Sequence, residues 1–165
     1  MADRLEDLYT ELHGPIYRFL AALTGDPDVA EELTQETFLQ AILFLPRFRR
    51  ESSLTTWLYA IARNQYRKRM ARESRRPPTQ PHAVPNAPPD EIAAAREERR
   101  RLARALAALP EVYREALVLR EYEELSYAEI GQVLGRSETW ARVTCFRARR
   151  MLKDAFLKLE GGHTP

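Results

Sequence analysis

A proline-rich segment in the middle of the chain limits its possible folds more than any other feature. Residues 73–90 read ESRRPPTQPHAVPNAPPD and hold six of the eleven prolines of this 165-residue chain, with almost no large apolar side chains. Proline removes a backbone donor and blocks helices, so we interpret this segment as a flexible linker. The sequence therefore predicts two small domains, 1–72 and 91–160, instead of one continuous core.

The first domain has the apolar periodicity of helices and no strand-like alternation. Large apolar residues recur at helical spacing over residues 5–23, and Pro15 within that run predicts a kink or a break. Asp26 and Ser53 stand where helix N-caps are expected, and Pro46 should end the helix between them. The side of that helix that carries Leu33 and Ile42 is expected to pack inward. The second domain also has the apolar periodicity of helices and no strand-like alternation, so the predicted fold class is all-α.

The last third of the chain has the local signals of a helix-turn-helix. Ser126 and Glu129 match a capping box, in which each side chain satisfies a free backbone amide at the start of a helix. Gly135 suits the left-handed turn that follows, and Ser137 can cap the next helix. A helical hairpin with a solvated basic face is the plainer alternative. Two caps around a glycine turn favour the helix-turn-helix.

Charge is distributed unevenly along the chain, although the net charge is only +2. Residues 1–46 carry a net charge of −7, residues 47–76 carry +8, and residues 136–165 carry +4. Two separate basic segments suit two contacts with a polyanion. The acidic segment, residues 1–46, would be available to contact a protein partner.

The segment 48–64, FRRESSLTTWLYAIARN, combines a polar loop with a helix that carries aromatic and basic side chains. Cations beside rings suit single-stranded nucleic acid, because charge follows the phosphates while rings stack on unpaired bases. A core helix with a solvated basic end explains the stretch equally well. Trp57 and Leu58 are expected in the core rather than on a base.

The final helix should have an apolar back and a basic front, as a helix in the major groove requires. Ala141, Cys145 and Ala148 lie on the stripe that should pack inward. Arg142, with neighbouring arginines, lies on the opposite side. Cys145 is the only cysteine and is expected to be a small core residue, so an intramolecular disulfide is impossible.

The order of these segments resembles the extracytoplasmic-function sigma factors, small specificity subunits of bacterial RNA polymerase. Residues 28–41, DVAEELTQETFLQA, are similar to sigma region 2.2, and residues 48–64 are similar to region 2.3. Residues 106–120, LAALPEVYREALVLR, and residues 127–149 resemble regions 4.1 and 4.2. The resemblance covers nearly the whole chain. It implies a region 2 domain and a region 4 domain joined by the linker.

The resemblance implies three sets of contact residues. The −10 promoter element would be opened and held by Arg49, Arg50, Ser52, Ser53, Leu54, Arg63, Asn64, Arg67 and Lys68. The −35 element would be read by Arg136, Ser137, Glu138, Thr139, Arg142, Val143, Phe146, Arg147 and Arg150. Core polymerase would be bound by Glu32, Gln35, Glu36 and Leu39.

The implied partners are core RNA polymerase, through its β′ clamp helices and β flap, promoter DNA, and an anti-sigma factor. No catalytic residue, cofactor or metal ion is expected, because the three histidines are scattered and form no ligand spacing with Cys145. With no signal-like N-terminus and no apolar run long enough for a membrane span, the protein is expected to be soluble and cytoplasmic.

The sequence departs from the family pattern at two positions. Family members commonly have glycine after Arg49, where this chain has Arg50. The recognition helix often carries two basic residues, whereas here Arg142 keeps the first and Thr144 replaces the second. The promoter sequence therefore cannot be copied from the family.

Two other functions compete with this interpretation. A helix-turn-helix repressor or activator with an N-terminal effector domain explains the C-terminal half but not the Trp57 helix. A nuclease could use Glu31, Glu32 and Glu36, since Glu32 and Glu36 share a helix face. No further histidine or aspartate joins them in the sequence pattern, so a solvated acidic face or a protein contact is favoured.

The linker also predicts how the two domains are arranged in the free protein. Its prolines and lack of apolar anchors set no fixed arrangement. We therefore expect a broad distribution of distances between the domains, narrowing when a partner binds.

Overall fold

The computed structural model of the protein describes residues 2–74 and 90–161, which contain seven α-helices and no strand. The helices are α1 (Ala2–Thr24), α2 (Pro27–Phe44), α3 (Leu54–Glu73), α4 (Ala93–Ala107), α5 (Glu111–Glu121), α6 (Tyr127–Leu134) and α7 (Glu138–Gly161), with a short 3-10 helix at Leu45–Arg47. The all-α fold class is confirmed. Within the described ranges, no helix is both long and apolar enough to cross a membrane.

Helix α1 continues through Pro15, so of the kink or break expected at this residue, the break is wrong. The residue before a proline is usually kept out of the helical conformation by a clash between its Cβ and the proline ring. Gly14 precedes Pro15 and has no Cβ. Burial of Ile16 and Phe19 against the other helices offsets the loss of one backbone hydrogen bond.

The predicted helix ends in the first half are largely confirmed. The Asp26 carboxylate accepts hydrogen bonds from the first amides of α2, and the Ser53 hydroxyl accepts one from the Thr56 amide at 3.1 Å. Helix α2 gives way to the 3-10 helix that contains Pro46. Leu58 is fully buried, as expected for a core residue of α3.

In the second half, α6 and α7 form the predicted helix-turn-helix. Both hydrogen bonds of the Ser126–Glu129 capping box are present, and Gly135 ends α6 in the left-handed conformation at φ 68°. The Ser137 hydroxyl accepts a hydrogen bond from the Trp140 amide at the start of α7. Cys145 is fully buried against α5, as the packing stripe predicted.

The two halves are packed against each other, which differs from the broad range of arrangements that the linker suggested. Helix α3 contacts α6, and α1 contacts α5. The contacts come from side chains on these helices, so the composition of the linker could not reveal them. We call this interface, formed by α1 and α3 on one side and α5 and α6 on the other, the seam.

The predicted linker limits can be compared with the structure only at their ends. Glu73 belongs to α3, so the helix runs one residue into the predicted linker. Residues 75–89, and with them nearly all of the linker, lie outside the described residues.

Candidate nucleic-acid and polymerase interfaces

The start of α7 presents an exposed face that carries every residue predicted to read the −35 element. The exposed residues are Arg136, Ser137, Glu138, Thr139, Arg142, Val143, Phe146, Arg147 and Arg150. Their exposure follows from the helical period, because Ala141, Cys145 and Ala148 on the opposite side are fully buried. The face is both basic and apolar, a combination that can contact phosphates, base edges and thymine methyl groups.

Several arginines on this face lie over aromatic rings. The Arg142 guanidinium is 5.5 Å from the centre of the Tyr127 ring, and Arg136 lies 5.3 Å from the Trp140 ring. Arg142 also lies 3.5 Å from the Glu138 carboxylate. These contacts hold the guanidinium groups near the helix surface, but they are exposed and weak enough to be exchanged for DNA.

Thr144, at the position where the family often has a second cation, points into the core. It is buried, next to the fully buried Cys145. An arginine here would face the interior of the domain, so its replacement by threonine removes no exposed charge. The exposed cations of the predicted −35 face of this helix are Arg142, Arg147 and Arg150 instead.

A close approach of backbones sets the angle between α6 and α7, and sequence reasoning did not identify it. A Cβ atom built on Gly131 would lie 2.6 Å from the carbonyl oxygen of Arg136 and 3.0 Å from that of Ser137. Only a residue without a side chain fits there. A glycine in the middle of an otherwise good helix is the signal that could have found it.

The loop before α3 brings the first part of the predicted −10 set together. Arg49 and Arg50 are exposed, Ser52 and Leu54 are half-buried, and Ser53 caps the helix. The Phe48 and Trp57 rings, which flank the loop in the sequence, pack against each other with centroids 5.0 Å apart. Arg50 has a φ of 57°, the left-handed conformation that favours glycine. This geometry gives a physical reason for the glycine common in the family at this position.

The cations farther along α3 do not act as one surface. Asn64 and Lys68 are exposed, whereas Arg63 and Arg67 turn toward Glu115 of α5. The Arg63 Nε atom donates a hydrogen bond of 2.6 Å to the Glu115 carboxylate. The predicted −10 residues are therefore divided between the free surface and the seam.

Glu115 and Glu123 are buried carboxylates of the seam that sequence reasoning missed. The Glu123 carboxylate accepts a hydrogen bond of 2.7 Å from the Tyr59 hydroxyl and lies 3.5 Å from Arg18. Burial raises the pKa of both carboxyl groups, and the nearby cations only partly oppose that effect. Burial and the Glu123 carboxylate also raise the pKa of the Tyr59 hydroxyl.

The predicted polymerase-binding residues lie on one side of α2. Glu32, Gln35 and Leu39 are exposed and Glu36 is half-buried, with Glu32 paired to Arg69 of α3 at 2.8 Å. The exposed side continues into apolar side chains that were not predicted to belong to it. These are Ile42, Leu43 and Phe44.

Ile42 was expected on the packed side of α2, and that assignment is wrong. Its side chain is 53% exposed, and Leu43 beside it is 61% exposed. Phe38 and Ala41 fill the inward positions at this end of the helix, so Ile42 is left facing outward. Adjacent exposed apolar residues of this kind mark an interaction surface.

The acidic side of α2 offers no metal site in the described part of the chain. Within residues 2–74 and 90–161, no group of three or more histidine, cysteine, aspartate or glutamate side chains is arranged to hold an ion. Glu32 is instead neutralised by Arg69.

Comparison with known proteins identifies both halves. The family model for sigma-70 region 2 matches residues 8–76, and the model for sigma-70, region 4 matches residues 99–152. The sigma factor YlaC of Bacillus subtilis (strain 168) is 32% identical over 162 residues, which cover 94% of each chain. The ECF RNA polymerase sigma factor SigC of Mycobacterium tuberculosis (strain CDC 1551 / Oshkosh) is 39% identical over 143 residues, covering 85% of this chain and 77% of that protein.

Two solved structures have a similar fold. The sigma factor RpoE in complex with the anti-sigma factor NepR from Bartonella quintana has a TM-score of 0.79 at 22% identity, covering 96% of this chain and 98% of that one. CnrH in complex with the cytosolic domain of CnrY has a TM-score of 0.73 at 23% identity, covering 99% and 92%. These two structures show the fold, and the family models and the sequence relatives show the family. This chain belongs to the extracytoplasmic-function group of RNA polymerase sigma factors.

Proposed function

We propose that this protein binds core RNA polymerase and directs it to promoters by contacting two DNA elements, with no catalytic activity of its own. The observation that carries the proposal is the presence in one chain of two separate basic surfaces, one on α7 and one at the start of α3. An acidic surface edged with apolar residues lies on α2. Its place of action under this proposal is the cytoplasm, where core polymerase and promoter DNA are found together.

The −35 element is assigned to the exposed face of α7. Helix-turn-helix proteins place this helix in the major groove, where arginine pairs with guanine edges and apolar groups contact thymine methyls. The exposed Arg142, Val143 and Phe146 supply both kinds of contact. The flanking Arg136, Arg147 and Arg150 suit the phosphates on either side.

The −10 element is assigned to the loop before α3 and to the exposed residues of that helix. A flipped base needs polar contacts and a surface to stack on. The loop at Arg49–Ser53 offers hydroxyl and guanidinium groups, and the half-buried Phe48 and Trp57 rings flank it in the sequence. Asn64 and Lys68 would guide the displaced strand. The exposed Arg67 would join them, whereas Arg63, which is 12% exposed and paired with Glu115, could do so only if the seam opens.

Core polymerase is assigned to the exposed side of α2, formed by Glu32, Gln35, Glu36 and Leu39 with the apolar residues 42–44. Acidic groups provide complementarity to a basic partner, and the exposed apolar side chains provide buried area once the partner binds. The β′ clamp helices would dock here, and the β flap would contact the region 4 domain.

An anti-sigma factor is proposed as a regulatory partner. The similar structures of RpoE and CnrH were solved with NepR and with the cytosolic domain of CnrY, respectively. The exposed apolar end of α2 would suit such an inhibitor, because covering it would also block core polymerase. Affinity capture with exposed α2 residues exchanged for alanine would test this overlap.

Run-off transcription with core enzyme on a randomised promoter library tests the main proposal. The expected result is selection of promoters that share two conserved elements separated by a spacer. Core enzyme without this protein is the control. Selection of no element, or activity on every template alike, would contradict the proposal.

A repressor with a helix-turn-helix remains the competing function. A repressor should bind duplex DNA tightly on its own, whereas this protein is expected to bind promoter duplex poorly until core enzyme is added. Electrophoretic mobility shifts with and without core enzyme separate the two. Tight sequence-specific binding by the free protein would favour the repressor.

A further inference from the structure

Tyr127, the first residue of α6, lies between two arginines that come from different helices of the region 4 domain. The centre of its ring is 4.2 Å from the guanidinium carbon of Arg120 and 5.5 Å from that of Arg142. Arg142 belongs to the exposed face of α7 that the proposed function assigns to the −35 element, whereas Arg120 belongs to α5. One ring therefore joins a DNA-facing cation to the body of the domain.

The Tyr127 ring is itself held in place by its surroundings. Ser126 precedes it as the N-cap, and the capping box with Glu129 fixes the start of α6. The half-buried ring packs against the hydrophobic core, and the Arg120 guanidinium over it donates a hydrogen bond of 2.9 Å to the Leu125 carbonyl oxygen. A group whose neighbours restrict its rotamer can position another group accurately.

The packing of α6 against α7 keeps this ring within reach of Arg142. Gly131 lies one turn after Tyr127 on α6, and a Cβ atom built on it would lie 2.6 Å from the carbonyl oxygen of Arg136, just before α7. Because the two backbones meet there with no side chain between them, hard contact sets their separation. The distance between ring and guanidinium is thus fixed by the helix-turn-helix.

Arg142 has a second contact on its own helix. Its Nη2 atom lies 3.5 Å from the carboxylate of Glu138, one turn earlier on α7, and its side chain is still 59% exposed. The contact with Glu138 uses an N–H donor of the guanidinium, whereas a contact with a ring uses the positive charge and leaves the donors free. DNA can therefore take the place of Glu138 while the ring contact remains.

The orientation of a guanidinium decides whether it reads a base. Arginine pairs with guanine through two parallel N–H donors, so discrimination requires the plane of the group to be presented at the correct angle. An arginine that is free to change rotamer can reach a phosphate instead. A phosphate contact adds affinity at every sequence and carries no sequence information.

We propose that Tyr127 is a positioning residue for −35 recognition, whose ring holds the Arg142 guanidinium in the orientation that reads one base pair. On a promoter, the Glu138 contact is exchanged for a base edge and the ring contact is kept. Tyr127 thereby determines specificity at the position that Arg142 reads. The proposal rests on the assignment of the exposed face of α7 to the −35 element under the proposed function.

The test measures discrimination at each position of the −35 element by run-off transcription with core enzyme. The preferred element is taken from the randomised library, and each of its base pairs is then exchanged in turn for the other three. Tyr127→Leu removes the ring but keeps an apolar side chain. We expect discrimination to fall about two- to fivefold at one position and to stay the same at the others. Unchanged discrimination at every position would overturn the proposal.

Tyr127→Phe keeps the ring and removes only the hydroxyl group, so it should retain the discrimination of the parent protein. A loss in Tyr127→Phe equal to that in Tyr127→Leu would assign the effect to the hydroxyl and would also overturn the proposal. Circular dichroism checks that the helices are intact. If Tyr127→Leu fails to fold, Tyr127→Met fills more of the space of the ring and carries the same expectation.

The matched control removes a ring that lies beside a different arginine. Phe156 lies farther along α7, and its ring centre is 5.5 Å from the guanidinium of Arg101, the same separation as between Tyr127 and Arg142. Both rings are half-buried, and Phe156 lies outside the predicted −35 face. We expect Phe156→Leu to keep the discrimination of the parent protein at every position. Equal losses in the two leucine variants would indicate a general effect of loosened packing and would contradict the proposal.

A double-mutant comparison separates the positioning of Arg142 from any other role of the ring. When Arg142→Ala is already present, Tyr127→Leu should change discrimination no further, because the cation that the ring positions is absent. A merely structural role would add its own loss in both backgrounds. A further loss of the same size would show that Tyr127 acts without Arg142, and the positioning model would be wrong.

Failure of the positioning model is distinguishable from failure of the proposed function. If Arg142→Ala relaxes discrimination at one position but Tyr127→Leu does not, the assignment of α7 stands and only the positioning model fails. If the parent protein selects no −35 element, or if Arg142→Ala changes discrimination nowhere, Arg142 does not read the element. Both the −35 assignment of Arg142 and the positioning model are then overturned.

Discussion

At the scale of single residues, Gly131 is the position with the least tolerance for change in the helix-turn-helix. Gly131→Ala forces a Cβ atom against two backbone carbonyls that cannot rotate away. We expect a loss of about 1–3 kcal/mol in the free energy of unfolding, typical of overpacking in a tight site. Urea titration followed by circular dichroism measures it. Gln132→Ala, on the exposed side of the same helix, is the control and should be nearly neutral; an equally neutral Gly131→Ala would contradict the close approach.

Arg50 provides the opposite case, in which a substitution should stabilise the protein. A non-glycine residue in the left-handed conformation costs about 1–2 kcal/mol, and Arg50 has a φ of 57°. Arg50→Gly should therefore raise the free energy of unfolding by about 1 kcal/mol, less the entropy lost by a flexible glycine. Thermal denaturation is the measurement. Arg49→Gly removes the same charge at a neighbour without positive φ, so it should not stabilise.

These residues differ in how far the sequence could predict them. The Arg50 departure was visible in the sequence, but its cost depends on a backbone angle that only the structure gives. The sequence indicated that Thr144 replaces a cation of the recognition helix. Because Thr144 is buried, this replacement removes no charge from the exposed face of α7. The type of a residue is known from the sequence, whereas its exposure depends on helices that are distant in the sequence and pack against it in the fold.

At the scale of helices, α7 permits a sharp test of promoter recognition. Arg142 lies on the exposed front, away from the packed stripe, so Arg142→Ala should leave the fold intact. If the guanidinium reads a base, we expect a loss of about 1–3 kcal/mol in binding at promoters with the preferred −35 element and relaxed discrimination at one position. Run-off transcription on promoters that differ only in this element measures it. A uniform loss would place Arg142 on phosphate, and no loss would remove it from the interface.

Helix α2 allows the corresponding test for core polymerase. Gln35→Ala with Glu36→Ala removes two polar side chains from its exposed side, and we expect weaker binding to core enzyme with unchanged helicity. Fluorescence titration against core enzyme is the measurement. Glu11→Ala, a charge removed from the exposed side of α1, is the control. Unchanged affinity for core enzyme in the double variant would refute the docking surface on α2.

Helix ends were predictable because a helix cap and the backbone amides that it satisfies are close together in the sequence. The Asp26, Ser53 and Ser126 caps depend on side chains within three positions of the amides they satisfy. The direction in which each helix faces was less predictable. Apolar residues on two sides of α2 left the sequence unable to decide which side is packed, and Ile42 was assigned to the wrong one.

At the scale of the whole molecule, the seam lay beyond sequence reasoning. Its pairs join residues 52 to 73 positions apart in the chain. Glu115 is one glutamate among several in α5, and nothing in its neighbours distinguishes it as a partner of Arg63. Only the packing of the two halves brings these residues together.

The buried carboxylates of the seam predict how its closure responds to pH. Burial raises the pKa of Glu115 and Glu123 above the ordinary value of 4.5, and Glu111 adds to the increase for Glu115. The increase is opposed only in part, by Arg63 and Arg67 at Glu115 and by the Tyr59 hydrogen bond and Arg18 at Glu123. A group with a raised pKa in the closed form binds protons more tightly there than in the open form. Closure is therefore favoured at low pH and weakened as the pH rises through the raised pKa values.

Spin-label distances between the halves should shift toward the closed form as the pH is lowered from about 7 toward 4.5, provided that circular dichroism shows the helices intact. Glu115→Gln with Glu123→Gln mimics the protonated carboxyl groups without titrating, so this variant should stay closed and lose most of the response. A wild-type seam that opens on acidification would mean that the attraction of the arginines outweighs burial, and the sign of the coupling would be reversed.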